Sequence, residues 1–361
     1  MGSWVLIVLL VPYFVVLITT ILRGDKLRIQ PAVASDWPMI SVVIPTYNEE
    51  KRIQAKLREI LGLDYPSNKC ELVLVDESTD ATEQLAKKLA EEYERKITIL
   101  HNDVRLGLAR ALDRGYRASS GRIIVKTDCD ARIPNRKAFK IAVAYLSDSR
   151  IGAVAGTYTS ETKRERVYRK ALKMWQVAQA NLFSTIIAHG CMMAFKREVY
   201  AGLNPNSLAD DTEIFIDAIA KGFRTIVLPE IECIEQSPTT RRACLRQRSR
   251  RAEGIIRLLL GRKGRALART SLRALLLAAG DLYLIAVSPF AIATLLGFLV
   301  LQFSSVGWSG LFAASMMILG VATVWVHGHN IVASFLDTQL AGAVGLASAI
   351  RPTSGIFERL S

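Results

Sequence analysis

At 361 residues the chain is long enough for one large domain or two modest ones, and half of it is hydrophobic, with a mean hydropathy of +0.23. That excludes a disordered protein and is unusual for a purely soluble one. The five cysteines, Cys70, Cys129, Cys191, Cys233 and Cys244, are odd in number and show no CxxC spacing, which argues against a disulfide framework or a cysteine zinc site and for a reducing compartment. Lys and Arg exceed Asp and Glu by 47 to 33, a net charge of +14, so an anionic partner is expected.

In chain order, the first 22 residues carry no charged side chain, and Trp4 to Leu22 is an apolar run of 19 residues. As a helix it would measure about 28 Å, enough to span a bilayer core. The rival is a cleaved leader ending at Ala32-Val33-Ala34, but the first cations, Arg23, Lys26 and Arg28, follow the apolar run instead of preceding it. A retained helix with a cytoplasmic anchor fits that order better.

Short β-branched runs follow at Ile40–Ile44, Leu72–Val75, Ile97–Leu100, Ile123–Val125, Gly152–Gly156 and Thr225–Leu228, separated by helical stretches such as Ala81–Glu94 and Leu108–Ala118. This βαβ order predicts an open α/β sheet, which binds ligands at the carboxyl ends of its strands. Neither GxGxxG nor GxxxxGK[ST] occurs, and there are no internal repeats.

The loops after the strands therefore hold the candidate residues. Pro45-Thr46-Tyr47-Asn48-Glu49-Glu50 could hold a planar base and a ribose, or could be a turn into a helix whose first turn carries Glu49 and Glu50. In Asp76-Glu77-Ser78-Thr79-Asp80, Asp80 reads as an N-cap with Glu83 completing a capping box, while Asp76 has no such local role. Thr127-Asp128-Cys129-Asp130 is the sharpest signal: two carboxylates one residue apart after a strand can face one hard cation, Mg2+ or Mn2+, which in turn bridges a nucleotide diphosphate. In Asp210-Asp211, Asp210 with Glu213 reads as a second capping box before a helix through Thr212–Lys221, which leaves Asp211 as a base.

Beyond them, Arg241 to Arg273 holds twelve cations and one acid, Glu253, and so supplies +11 of the net charge. Aliphatic residues, not aromatics, are interleaved, which favours a helix on an anionic membrane surface over nucleic acid. Gln247 and Arg248 to Arg251 within it could grip a pyrophosphate or face lipid headgroups. Leu282–Phe303 and roughly Leu311–Val326 then predict a transmembrane hairpin with Trp308 at the interface. Ile331–Ile350, interrupted by Asp337 and Gln339, is expected to lie along the interface. The positive-inside rule puts the amino terminus outside and Arg23 to about Asp281 in the cytoplasm, a multi-pass topology of about three spans.

The ordered set resembles the family-2 inverting glycosyltransferases with a GT-A fold. It comprises Pro45 to Glu50, Ser78-Thr79-Asp80, Arg105-x-Gly107-x-Ala109-x-Ala111 through Gly115 to Gly121, Asp128-x-Asp130, Gly190 before Phe195-Lys196-Arg197, Asp210-Asp211 and Gln247-x-x-Arg250. The last two are similar to the cellulose-synthase-like and hyaluronan-synthase-like branch. The resemblance implies a GT-A domain over 37–240 between a span at 1–23, basic interfacial helices at 241–280, a hairpin at 281–330 and an interfacial segment at 331–361. It implies nucleotide contacts from Pro45, Tyr47, Glu49, Asp76, Arg105 and Asp128, and a divalent metal on Asp128 and Asp130. Asp211 would be the catalytic base, and His189, Gly190, Asp210, Gln247, Arg250 and Arg251 would meet acceptor or diphosphate.

The Asp76–Asp80 loop is one residue shorter than the family pattern, so the nucleotide contact falls to either Asp76 or Glu77. Arg251 replaces the Trp of polymer synthases, and three spans are too few for a polysaccharide channel, so a single transfer is expected. Asn and Gln total only 17 while Arg is plentiful, which suits a thermophile. With the resemblance this selects GDP-mannose as donor and a polyprenyl- or dolichyl-linked glycan as acceptor, with anionic lipid as a further partner. A processive UDP-sugar synthase and a catalytically silent nucleotide-sugar-binding scaffold are the alternatives.

Overall fold

The structure, a computed structural model, describes residues 2–24, 26–31, 36–160, 162–188, 191–235, 238, 240–305, 307–327 and 331–350. Its centre is an eight-stranded mixed sheet. The strands are β1 (Ile40–Thr46), β2 (Cys70–Asp76), β3 (Ile97–His101), β4 (Ile123–Thr127), β5 (Ala131–Arg132), β6 (Ile151–Thr159), β7 (Met192–Lys196) and β8 (Arg224–Glu235), in the spatial order 3-2-1-4-7-6-8-5. Strands 3, 2, 1 and 4 run parallel, while β7 is antiparallel to both of its neighbours, β4 and β6. The order reverses between β1 and β4, so their carboxyl ends frame a crevice there.

The apolar runs of β1, β2 and β4 are buried on both faces, as strands covered by helices on either side must be. One face packs on α2 (Ile53–Leu61), α3 (Thr82–Glu92) and α5 (Ala138–Leu146) through Leu57, Leu89 and Phe139. The other packs on α4 (Leu108–Ala118) and α7 (Asp210–Ala220) through Leu112, Tyr116, Ile214 and Phe215. Two sequence boundaries shift. The helix after Tyr47 begins at Ile53, so Glu49 and Glu50 precede its first turn. The last strand does not stop at Leu228: after Gly156 pairs Leu228, Thr157 pairs Glu232, so Pro229, Glu230 and Ile231 bulge out and the strand resumes to Glu235. Proline, with no N–H to donate, is at home in such a bulge.

Helices gather at the far side of the sheet. The first, α1 (Gly2–Arg23), packs on α6 (Lys163–Leu182), where Asn181 donates to the carbonyls of Arg23 and Lys26 at 2.6 and 2.8 Å and accepts from the Arg28 amide at 2.8 Å. The basic stretch forms α8 (Arg241–Leu260) and α9 (Arg262–Ala268), and α10 (Leu272–Leu282) continues through a π-helical turn (Tyr283–Val287) into α11 (Ser288–Ser304). Then come α12 (Trp308–His327) and α13 (Ile331–Ala349). Among the described residues one helix, Leu272–Gln302, is long and apolar enough to cross a membrane, and Val11–Arg23 is a shorter apolar helix. The apolar helix expected from Leu282 thus begins ten residues earlier, at Leu272.

Much of the basic stretch serves internal pairing instead of the lipid contacts expected of it. Arg241 binds Asp337 at 2.9 Å, Arg248 binds Glu165 at 2.6 Å, Arg251 binds Glu235 at 3.2 Å and Arg257 binds Glu253 at 3.0 Å. Lys263 lies 2.9 Å from Glu213 and 2.6 Å from Asp217 on α7. The expected interfacial segment is likewise docked: α13 runs along α8, so close that a Cβ on Gly345 would come within 2.7 Å of Ala252 Cβ. Its interrupting polar residues make the contacts. Asp337 also accepts from Trp325 Nε1 at 2.9 Å, and Gln339 accepts from Ser288 Oγ at 2.7 Å.

This separates the cations by role. Lys263→Met would leave Glu213, fully buried, and Asp217 without their counter-ion, and should lower the unfolding free energy by about 2 kcal/mol or more. Exposed Arg262→Gln should stay within about 0.5 kcal/mol of wild type. Thermal unfolding in detergent checks both; equal shifts would contradict the pairing.

Candidate active site

The carboxyl ends of β1 and β4 open into a cleft of about 930 Å³. Pro45, Tyr47, Glu49, Arg105, Asp128, Asp130, Asp210, Asp211, Gln247, Arg250 and Arg251 all line it. His189 and Gly190 lie outside the described residues.

At the β1 end, the Arg105 guanidinium stacks 4.0 Å from the centroid of the Tyr47 ring. Asn48 takes a left-handed φ of 54°, and its side chain accepts from the Thr79 amide at 3.0 Å, which ties this loop to the one after β2. Asp80 accepts from the amides of Thr82 at 3.0 Å and of Glu50 at 3.2 Å; the N-cap position of α3 itself falls on Ala81, one residue later than expected, and Asp80 braces the loops before α3 and α2. Glu83 does not complete a capping box: its carboxylate faces Lys87 and His101.

Asp76 does not line the cleft. Its side chain is fully buried beneath the loop, accepting from Thr46 Oγ1 and Ser78 Oγ at 2.6 Å each. Glu77 takes the place on the cleft wall, held by the Asn102 side chain at 3.1 Å and the Gly107 amide at 3.2 Å. Gly107, at φ 97°, adopts a conformation that a side chain would disfavour.

At the β4 end the loop is pinned from three sides. Thr127 Oγ1 donates to the Cys191 carbonyl at 2.7 Å, Lys56 Nζ donates to the Ala131 carbonyl at 2.5 Å, and the Glu59 carboxylate accepts from the Ile133 amide at 2.7 Å. The DxD carboxylates are thereby carried on a braced turn. Burial drives Asp128 up to about 6, with Lys126 pulling down and Asp130 and Asp211 pushing up. Asp130 is raised too, by burial and then by Glu235, against Arg52.

Sequence reasoning passed over Lys126, which ends an apolar strand run. Its side chain is 2% exposed, and Nζ lies 2.8 Å from Asp128 Oδ1 and 3.4 Å from Asp211 Oδ1. Burial depresses this ammonium, but Asp128, Asp211 and Asp210 outweigh burial and hold it well above its ordinary value. The signal was a charged residue inside a run that should be buried on both faces.

Asp210 and Asp211 open α7, but not as a capping box. The helix has no side-chain N-cap bond, and Glu213 turns away to accept from the Asn204 amide at 2.8 Å and to pair with Lys263. Burial, then the neighbouring Asp211 charge, pushes Asp210 up to about 8. On α8, Arg251 donates to Tyr158 OH at 2.7 Å besides binding Glu235, and Arg250 is pushed down to about 10 by burial and then by Arg251. An anion in the cleft would relieve that crowding of guanidinium groups.

The residues present fit a hard divalent cation. Asp128 and Asp130 offer carboxylate oxygens, and a cation would favour the charged forms that burial and then neighbouring acids disfavour. A second acidic group, Asp76, Glu83 and His101, has ligand atoms within 4.8 Å of one another. There His101 Nδ1 lies between the carboxylates, 3.3 Å from Asp76 and 3.1 Å from Glu83, and Asp76 Oδ1 is already bonded twice.

Residues 41–203 match the model of Glycosyl transferase family 2, and residues 123–333 that of Glycosyl transferase family group 2. The chain belongs to the family 2 glycosyltransferases, and its mixed sheet is GT-A-like. It is similar to the solved mannosyltransferase PcManGT from Pyrobaculum calidifontis in complex with GDP-Man and Mn2+, with a TM-score of 0.78 and 26% identity, over 97% of this chain and 99% of that one. It is 28% identical over 195 residues to the dolichol-phosphate mannosyltransferase of Pyrococcus furiosus, covering 51% of this chain and 53% of the relative. It is 26% identical over 231 residues to the probable glycosyltransferase YdaM of Bacillus subtilis, covering 60% and 55%. The chain spans about half the length of these curated relatives.

The raised Asp210 gives a pH test. Because its folded value, about 8, lies above the ordinary 3.8, the protonated form stabilises the fold; that contribution is complete below about 4 and is lost as pH rises through 8. Asp210→Asn mimics the protonated acid. Relative to wild type it should gain about 1–3 kcal/mol between pH 5 and 8.5 in metal-free protein. A difference in melting temperature that stays constant across that range would contradict the shift.

Proposed function

We propose that this glycosyltransferase moves mannose from GDP-mannose, with inversion, onto a hydroxyl of a polyprenyl- or dolichyl-linked glycan at the cytoplasmic face of a membrane. The observation that carries the donor is the likeness, over nearly the whole chain, to a mannosyltransferase in complex with GDP-Man and Mn2+. The acceptor class draws support from the dolichol-phosphate mannosyltransferase relative, and the membrane from Leu272–Gln302 beside the cations that close the cytoplasmic segment. Two further spans, from 1–23 and 308–327, complete the proposed topology.

In this reading the residues of the cleft take the following parts. Tyr47 and Arg105 flank the nucleoside, with Glu77 beside them. Asp128 and Asp130 would hold Mg2+ or Mn2+, which when bound supplies positive charge for the departing diphosphate. Gln247 and Arg250 meet diphosphate oxygens from the opposite wall. Asp211 takes the proton of the acceptor hydroxyl as that oxygen bonds to the anomeric carbon; the bond from that carbon to the diphosphate breaks, and the nucleoside diphosphate leaves. Arg251, fastened to Tyr158 and Glu235, offers no aromatic ring on which a growing glycan could stack, which favours a single transfer.

Transfer of labelled mannose from GDP-mannose to a polyprenyl-linked glycan tests this directly. Asp211→Asn should keep donor affinity within a few-fold yet lose transfer by about a hundredfold or more. Asp128→Asn or Asp130→Asn should abolish transfer and Mn2+-dependent GDP binding. A preference for UDP-sugars would overturn the donor, and full activity in EDTA would overturn the metal.

A further inference from the structure

We propose that Lys126 is a built-in counter-ion that keeps the Asp128–Asp130 pair from taking up a divalent cation until a nucleoside diphosphate is in the cleft. The inference rests on the assignment of that pair as the metal site.

Lys126 sits in the middle of the sheet. On β4 it pairs Val43 of β1 on one side and Met193 of β7 on the other, and the three residues before it, Ile123, Ile124 and Val125, are apolar and buried. Packing gives no reason for a lysine here, since an aliphatic side chain would fill the same place without burying a charge. What fixes the ammonium is the pair of carboxylates it faces, Asp128 at 2.8 Å and Asp211 at 3.4 Å. These come from two elements, the loop after β4 and the first turn of α7. The lysine is thus the electrostatic link between the proposed metal ligand and the proposed base.

That position has a consequence for cation binding. Its side chain is 2% exposed yet it lines the cleft beside Asp128, so its charge sits where a cation would approach. A bare divalent cation approaching Asp128 meets an ammonium already in contact with the same carboxylate, so the attraction of the acidic pair is weakened. A diphosphate carries its own negative charges into the cleft and reverses that balance. The cation then binds to the pair and the phosphates together, and Lys126 remains beside Asp211 to hold its carboxylate in place. Metal uptake becomes coupled to donor binding, with no moving part.

Manganese titration of the full-length protein in detergent, read by electron paramagnetic resonance of free Mn2+, tests the idea without any turnover. Three conditions are compared: Mn2+ alone, with GDP and with UDP. Wild type should bind Mn2+ at least tenfold more tightly when a diphosphate is present. Lys126→Met should bind Mn2+ alone at least tenfold more tightly than wild type does, and so close most of that gap, whereas Lys126→Arg, which keeps the charge, should preserve it. Equal Mn2+ affinities of wild type and Lys126→Met in the absence of nucleotide would overturn the proposal. So would loss of metal-free GDP binding in Lys126→Met with unchanged Mn2+ affinity, which would make Lys126 a phosphate ligand. Should Lys126→Met not fold, Lys126→Gln reports the same loss of charge, and tight binding of Mn2+ alone by wild type overturns the proposal without any variant. If wild type binds no Mn2+ even with a diphosphate, or if Asp128→Asn leaves that binding unchanged, the metal-site assignment fails instead.

Discussion

Several carboxylates converge at one end of a buried sheet, and the structure has to hold them there against their mutual repulsion. Lys126 answers part of that repulsion from inside β4, at 2.8 Å from Asp128 and 3.4 Å from Asp211. Burial first, and then the neighbouring carboxylate charges, push Asp128 up to about 6 and Asp210 up to about 8. Such a cluster is costly to bury and persists only where the surroundings fix it. Here they do: Thr127 is bonded to the Cys191 carbonyl, Ala131 to Lys56 and Ile133 to Glu59, so the turn that carries the acids cannot relax away. The strain is stored where a cation and a diphosphate would release it.

The arginines of α8 form the opposing wall by a similar logic. Arg248 is buried against Glu165 and bonded to the Ser334 carbonyl, and Arg251 is held by Tyr158 and Glu235. These bonds fasten α8 to α6, α13 and β8, and so fix the distance between the basic wall and the acidic turn. Arg250, next to Arg251 and two residues after Arg248, lines the cleft with Gln247. Positive charge that looked in sequence like one membrane-binding block is therefore divided among fold, cleft and surface.

How much of this was legible follows from which information is local. The strands β1, β2 and β4 were legible because both of their faces are buried, which demands unbroken apolar runs at those places. Strand β7, Met192–Lys196, has no β-branched residue and left no such trace, and Pro229 hid the second half of β8. The cleft residues were found by their place after strands. That Asp76 turns under a loop while Glu77 lines the cleft left no trace in the sequence, because nothing local tells one such carboxylate from the other. Both capping boxes failed for the converse reason: Glu83 and Glu213 had partners distant in sequence, His101 and Lys263, which the four-residue pattern cannot show. The partners of the basic stretch, Glu165, Asp217 and Asp337, lie 83, 46 and 96 residues away along the chain.

The central claim is that the acids after β4 and the arginines of α8 close on one metal-bound nucleoside diphosphate. A crystal structure of the protein with GDP and Mn2+, with the metal located by its anomalous scattering, tests it most directly. The account predicts one manganese between the carboxylates of Asp128 and Asp130 and the diphosphate, with Gln247 and Arg250 on the phosphate oxygens. Manganese at Asp76, Glu83 and His101, or a diphosphate bound away from Asp128, would contradict it.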